Sequence, residues 1–160
     1  MMKQALLVID IQEALDLSDD VSISQTIASI NDLISTYPKD HVYYIRHLEI
    51  GSEFDPNEPT SQFHNQLNLV NHQVITKYHH SAFYQTTLHE ILQHQNIDTI
   101  DICGYQIEYC VDATIKTGHF LGYNIRILEN HIHTFNSSTL SKQDIKNHYL
   151  NQFSLYGEII

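Results

Sequence analysis

Basic side chains are scarce in this chain. Eight Lys and Arg stand against 19 Asp and Glu in 160 residues, giving a formal net charge of −11 with His neutral. So acidic a surface suits neither nucleic acid nor an anionic membrane, and neither is expected as a partner. Cysteine is scarcer still. Cys103 and Cys110 lie seven positions apart, on either side of one turn, so no disulfide is expected and a reducing cytoplasmic setting fits best. No apolar run reaches membrane-spanning length, and the opening MMKQALLVIDIQ lacks the apolar core and cleavage site of a secretory signal. Repeats, low-complexity tracts and linkers are missing too. One domain over residues 1–160 is therefore expected, large enough to bury roughly 70% of the surface its unfolded chain exposes. Glycine is absent where a phosphate-binding loop would need it. The turn DIQEALDLSDDVS carries several carboxylates instead, which argues against a nucleotide- or flavin-binding module.

What is present is an alternation of strands and helices. Ala5 to Asp10 (ALLVID) is a continuous apolar run, the pattern of a strand buried on both faces. Ser22 to Tyr37 follows as a helix, with Ser22 and Gln25 as a capping pair, an apolar stripe at Ile27, Ile30, Leu33 and Ile34, and Pro38 as its stop. Val42 to Ile45 and Val74 to Lys77 read as strands, separated by an irregular stretch from Glu49 to Asn71 marked by Gly51, Pro56 and Pro59. Loops of that length tend to be lids or site walls, or else poorly ordered. Thr87 and Glu90 form a capping box for a helix through Gln95. Strands at Ile100 to Gly104 and Asn124 to Leu128, a helix over Ser141 to Phe153 and a short edge strand at 157–160 complete the pattern. The expected fold is α/β: a three-layer α-β-α domain on a mainly parallel sheet of five or six strands.

The stretch TIDICGYQIEYCVDATIKTGHFLG, Thr99 to Gly122, reads as a buried strand, a sharp turn with a cysteine, then a helix stopped by Gly122. Cys110 then lies near the first turn of a helix, where free N–H groups and the helix dipole lower a thiol's pKa and stabilise an oxyanion. Active sites of parallel sheets gather at the strands' carboxyl ends. Asp10 ends the first strand, Lys77 the third, and Cys110 follows the fourth. Acid, base and thiol thus meet at one edge, a set suited to acyl transfer onto a thiol. Each has a plain structural alternative: a turn aspartate, a solvated lysine, a small buried hydrophobe. Gln12, Leu15, His47, Tyr78, Phe83 and Tyr105 lie within a few residues of strand ends and are candidates to line the pocket. For Leu15 and Phe83 a core position fits equally well, and for Gln12 a structural hydrogen bond. His79 and His80 follow Lys77 and either flank the site or face solvent.

The motifs LLVIDIQ, TKYHHSAFYQTTLHEIL, ICGYQIEYCVDATIKTGHFLGYNIRILEN and LSKQDIKNHYLNQF, in that order, resemble those of the isochorismatase-like cysteine hydrolases, which include nicotinamidases and related amidases. The resemblance implies Asp10 as general base, Lys77 as charge partner and Cys110 as nucleophile. It also implies a cis peptide at Tyr105–Gln106 that turns the Gln106 N–H toward the site, beside that of Cys110, as an oxyanion hole. The implied reaction is hydrolysis of a C–N bond in a small amide or ureide through a Cys110 thioester, without a cofactor, in a homodimer or homotetramer. Two departures stand out. Ile107 replaces the threonine of a Gly-x-x-Thr-x-x-Cys pattern, which leaves open a catalytically silent binding or assembly protein. The Asp-x-His metal pair of nicotinamidases is missing. A metal-assisted amidase would have to use His47, Glu49 and His64 instead, and no metal is expected.

Overall fold

The computed structural model describes residues 3–160. Each apolar run becomes a strand because its alternate side chains serve two different cores. In β1 (Gln4–Ile9), Ala5, Leu7 and Ile9 join one cluster while Leu6 and Val8 join the other. β2 (Val42–His47) and β4 (Thr99–Tyr105) flank it and divide in the same way. With β3 (Val74–Lys77), β5 (Asn124–His133) and β6 (Glu158–Ile159) they make one sheet of six strands, ordered β3-β2-β1-β4-β5-β6. Every pairing is parallel.

Helices close both faces. α1 (Ile23–Ser35) covers one, burying Ile23, Ile27, Ile30 and Ile34. On the other face α2 (Leu88–His94) contributes Leu88 and Leu92, α3 (Asp112–Phe120) contributes Ile115, and α4 (Lys142–Phe153) contributes Phe153. The result is the expected three-layer α/β domain. Cys103 lies in the α1-side core and is a free thiol.

Local chemistry departs from the sequence reading in several places. Ser22 does not cap α1 with its side chain. Its hydroxyl and N–H both bond to Asp20 Oδ1, at 2.6 and 2.9 Å, so Asp20 is the anion at this helix start. Thr87 makes no capping bond either, since Thr86 Oγ1 accepts from the Leu88 N–H at 3.3 Å. Ser141 does cap α4, accepting from the Asp144 N–H. β5 runs five residues beyond Leu128, because the polar interruption Glu129–His131 is absorbed as a register shift against β4 between Ile102 and Gly104. The long 49–71 segment holds one short 3-10 turn, Pro59–Ser61, and is pinned by a bridge between Gln12 and Phe63.

Candidate active site

The chain proceeds from β1 outward through β2 and β3, then returns to the other side of β1 with β4. That reversal leaves a crevice at the strands' carboxyl ends, where ligands of open α/β sheets bind. Asp10 leaves β1 with φ +54° and its N–H bonds to the Ile45 carbonyl at 3.1 Å, which turns its side chain off the sheet. Lys77 is the last residue of β3, in register with His47 of β2. Gly104 (φ +116°) lets β4 press against β1: a Cβ there would fall 2.1 Å from the Ile9 carbonyl oxygen.

The peptide between Tyr105 and Gln106 is cis, as the resemblance implies. Cys110 then sits in one π turn, Ile107–Val111, ahead of α3 rather than in the first turn of an α-helix. The Gln106 carbonyl accepts from the N–H groups of both Tyr109 and Val111, at 3.1 and 3.2 Å. Its side chain donates to Glu108 Oε1 (2.9 Å) and Thr134 Oγ1 (3.3 Å), which ties the turn to the end of β5. Ile107, in the usual threonine position, is fully buried in the core and helps seat the turn.

Lys77 is 0% exposed, and its Nζ has three partners. It donates to Asp10 Oδ2 at 2.8 Å and Cys110 Sγ at 3.2 Å, and meets His47 Nδ1 at 3.1 Å. An ammonium has three protons, so this set satisfies it fully, as a buried charge requires. For Nδ1 to accept, the His47 ring must be neutral with its proton on Nε2. Burial, and next the Lys77 charge, hold its pKa below the ordinary range, in agreement. Asp10, His47 and Cys110 lie close enough together to suggest a metal site, but the Lys77 ammonium fills the space between them.

The thiol itself corrects an expectation. Burial, and after it the Asp10 carboxylate, push the Cys110 pKa up; the Lys77 charge pulls it down and loses. Cys110 Sγ has a charge partner in Lys77 and a base in Asp10 beside it. Asp10 Oδ1 is buried and has no partner among the described residues, so an acceptor stands ready there.

Above the three lies a cavity of about 420 Å³ lined by Asp10, Leu15, His47, Tyr105, Gln106 and Cys110 among others. Three pocket candidates fall outside it. Tyr78 turns to solvent, 61% exposed, because the chain leaves the sheet at Lys77. Phe83 packs in the core against Tyr123, ring centroids 5.7 Å apart. Gln12 is wholly structural: it bridges the His47 N–H (2.8 Å), the His47 carbonyl (2.9 Å) and the Ser61 carbonyl (2.7 Å), locking β2 to the long loop. His80 does reach the site, with Nδ1 3.7 Å from Cys110 Sγ and its ring stacked on Tyr109, while His79 stays exposed beside Gln85. Glu53, Phe54, Tyr109 and Phe135 also line the cavity and were not singled out from the sequence. The only signals for them were the long loop's promise of a site wall and the proximity of Tyr109 to Cys110.

His47, Glu49 and His64 do not form a ligand set. His47 Nε2 is 3.9 Å from Glu49, but His64 bonds Asp16 at 3.2 Å through Nε2 and accepts the Gln66 N–H at Nδ1. Both of its ring nitrogens are engaged elsewhere.

Comparison with known proteins agrees with this architecture. An uncharacterized isochorismatase family protein of Bacillus subtilis, YddQ, is 29% identical over 141 residues, spanning 81% of this chain and 77% of that one. The crystal structure of an isochorismatase from Pseudomonas putida superposes with a TM-score of 0.85 at 25% identity, covering 98% of this chain and 86% of the other. N-carbamoylsarcosine amidase from Thermoplasma acidophilum shares the fold, with a TM-score of 0.80 at 19% identity over 99% and 95% of the two chains. A family model of the isochorismatase domain matches residues 4–154. With that match over nearly its whole length, the chain belongs to the isochorismatase family of hydrolases.

Proposed function

We propose that this protein hydrolyses the C–N bond of a small amide or ureide through a thioester on Cys110. The observation that carries the reading is the buried Lys77 ammonium, 2.8 Å from a carboxylate and 3.2 Å from a thiol, at the floor of an open cavity. In the first half-reaction Sγ forms a bond to the carbonyl carbon as its proton passes to Asp10. The backbone N–H groups of Gln106 and Cys110 receive the oxyanion. Asp10 returns the proton to the departing nitrogen as the C–N bond breaks, leaving the thioester and a free amine or ammonia. Water then attacks the thioester, giving its proton to Asp10. The C–S bond breaks and the thiol is restored with that proton. Lys77 keeps its charge throughout and holds acid and nucleophile together while their charges change. The amidase among the structural relatives acts on a carbamoyl group, and that chemistry is compatible with this floor.

We expect the enzyme to act as a homodimer or homotetramer in the cytoplasm, on a freely diffusing small molecule. The test is ammonia release from a panel of small carboxamides by the wild-type protein and by Cys110→Ala and Cys110→Ser. Both variants should lose about 10³-fold or more in kcat/KM with the fold intact by circular dichroism. Full activity in either would remove the mechanism and favour a binding or assembly role.

A further inference from the structure

The cavity above Cys110 has a one-sided electrostatic character. Three carboxylates line it, those of Asp10, Glu49 and Glu53, and no Lys or Arg does among the described residues. Lys77, beneath the floor, is fully buried and committed to its three partners. The Asp10 Oδ1 is buried and has no hydrogen-bond partner among the described residues. Around these groups the walls are aromatic and aliphatic: Leu15, Phe54, Tyr105, Tyr109 and Phe135. Phe54 is fixed edge-on to His47 at 5.2 Å, and Tyr105 is stacked on Phe135 at 5.2 Å, so the walls are organised rather than loose.

Lys77 offsets the Asp10 charge at the floor, but a substrate with a carboxylate at its far end would still meet Glu49 and Glu53 with no cation lining the cavity among the described residues. An ammonium there would meet Glu49 and Glu53 at the mouth and aromatic faces on the way in, the combination that binds organic cations. Resting on the amide-hydrolysis reading above, we infer that the amide substrate carries a protonated amine at the end remote from the scissile bond. Glu49 and Glu53 are the residues that select it. A flat or apolar spacer joins the two ends, matched to the aromatic walls, while the scissile group reaches Cys110. Single exposed ion pairs are weak, but discrimination between a cation and an anion gains from attraction to one and repulsion of the other.

Three probes of one shape and different charge separate this from its alternatives: 4-(aminomethyl)benzamide, benzamide and 4-carbamoylbenzoate. At about pH 8, where an ordinary imidazole is neutral, protection of Cys110 from iodoacetamide reports binding, and ammonia release reports hydrolysis. The aminomethyl compound should protect at a concentration about tenfold or more below that needed by the carboxylate, with benzamide between them. In the Glu49→Gln/Glu53→Gln protein that ratio should collapse to within about threefold, and 0.5 M salt should shrink it in the wild type. Equal or better protection by the carboxylate, a ratio that survives in the double variant, or protection by none of the three would overturn the assignment. The predicted ranking in protection without ammonia release would leave charge selection standing and count against hydrolysis instead.

Discussion

The Lys77 Nζ and the His47 Nδ1 stand 3.1 Å apart, both buried, at neighbouring register positions of β3 and β2. The contact has a chemical meaning because the other two ammonium protons already point at Asp10 and Cys110. His47 is thus the acceptor that completes the lysine's shell and fixes where the charge lies between acid and thiol. Its backbone is held in turn by the Gln12 side chain, on both the N–H and the carbonyl.

An acceptor at the Nδ1 position should be sufficient for that role. Asn places its Oδ1 at nearly the same distance from the backbone, whereas Ala places nothing there. His47→Asn should keep kcat within about threefold of wild type, while His47→Ala should lower it at least about tenfold, with KM changing less than kcat in both. Steady-state kinetics on any hydrolysed carboxamide checks this. Equal losses in the two variants would reduce His47 to a wall residue.

Asp10 sets up two effects of opposite sign. Its charge, second to burial, raises the Cys110 pKa, so Asp10→Asn should make the thiol easier to ionise. Iodoacetamide alkylation near pH 8 should therefore speed up in the variant, while amide turnover falls by about 10³-fold because the proton acceptor is gone. Faster labelling with lower turnover is an unusual pairing, and it separates a base from a mere structural anion.

His133 makes stability depend on pH. Burial first, then the Lys146 charge, push its pKa down to about 4, against 6.5 for the ordinary ring. The unfolded chain therefore binds a proton that the folded chain refuses. Stability from this group is present above pH 6.5 and lost as pH falls toward about 4. Between pH 7 and pH 5, urea unfolding should show a loss that is smaller by about 2 kcal/mol in His133→Gln than in the wild type, the remainder coming from groups such as His47 and His131 whose pKa values burial also lowers. A parallel loss in the variant would place the effect elsewhere.

Gly104 is the position where the sheet tolerates least. A methyl group would meet the Ile9 carbonyl at 2.1 Å on a backbone with φ +116°, so neither side-chain motion nor a rotamer change relieves the clash. Gly104→Ala should destabilise the protein by about 3 kcal/mol or more and disturb the Asp10 turn next to it. Chemical denaturation and residual activity would report the two consequences separately.

Much of this arrangement was legible in the sequence, for a physical reason. Strands such as ALLVID and TIDICGY must satisfy two cores, so their apolar runs are continuous and their ends well marked. Asp10, Lys77 and Cys110 could be placed because they adjoin such ends. Beyond a strand end periodicity stops, and the path of the following loop decides which side chain turns inward. That is why Tyr78 pointed to the pocket in the sequence and His80 occupies it in the structure. Phe135 was hidden by the polar interruption in β5, and Glu53 and Phe54 by a loop with no repeat to read. Burial pushes the Cys110 thiol's pKa up against the pull of Lys77, and depth of burial is not written in a motif.

The most direct test of the account is acid-quenched mass spectrometry of the protein during turnover of a carboxamide that it hydrolyses. The Cys110 peptide should gain the mass of the acyl group during the steady state, lose it when substrate is exhausted, and never gain it in Cys110→Ala. Sustained ammonia release with no adduct on Cys110, and with Cys110→Ala still active, would contradict the thioester route.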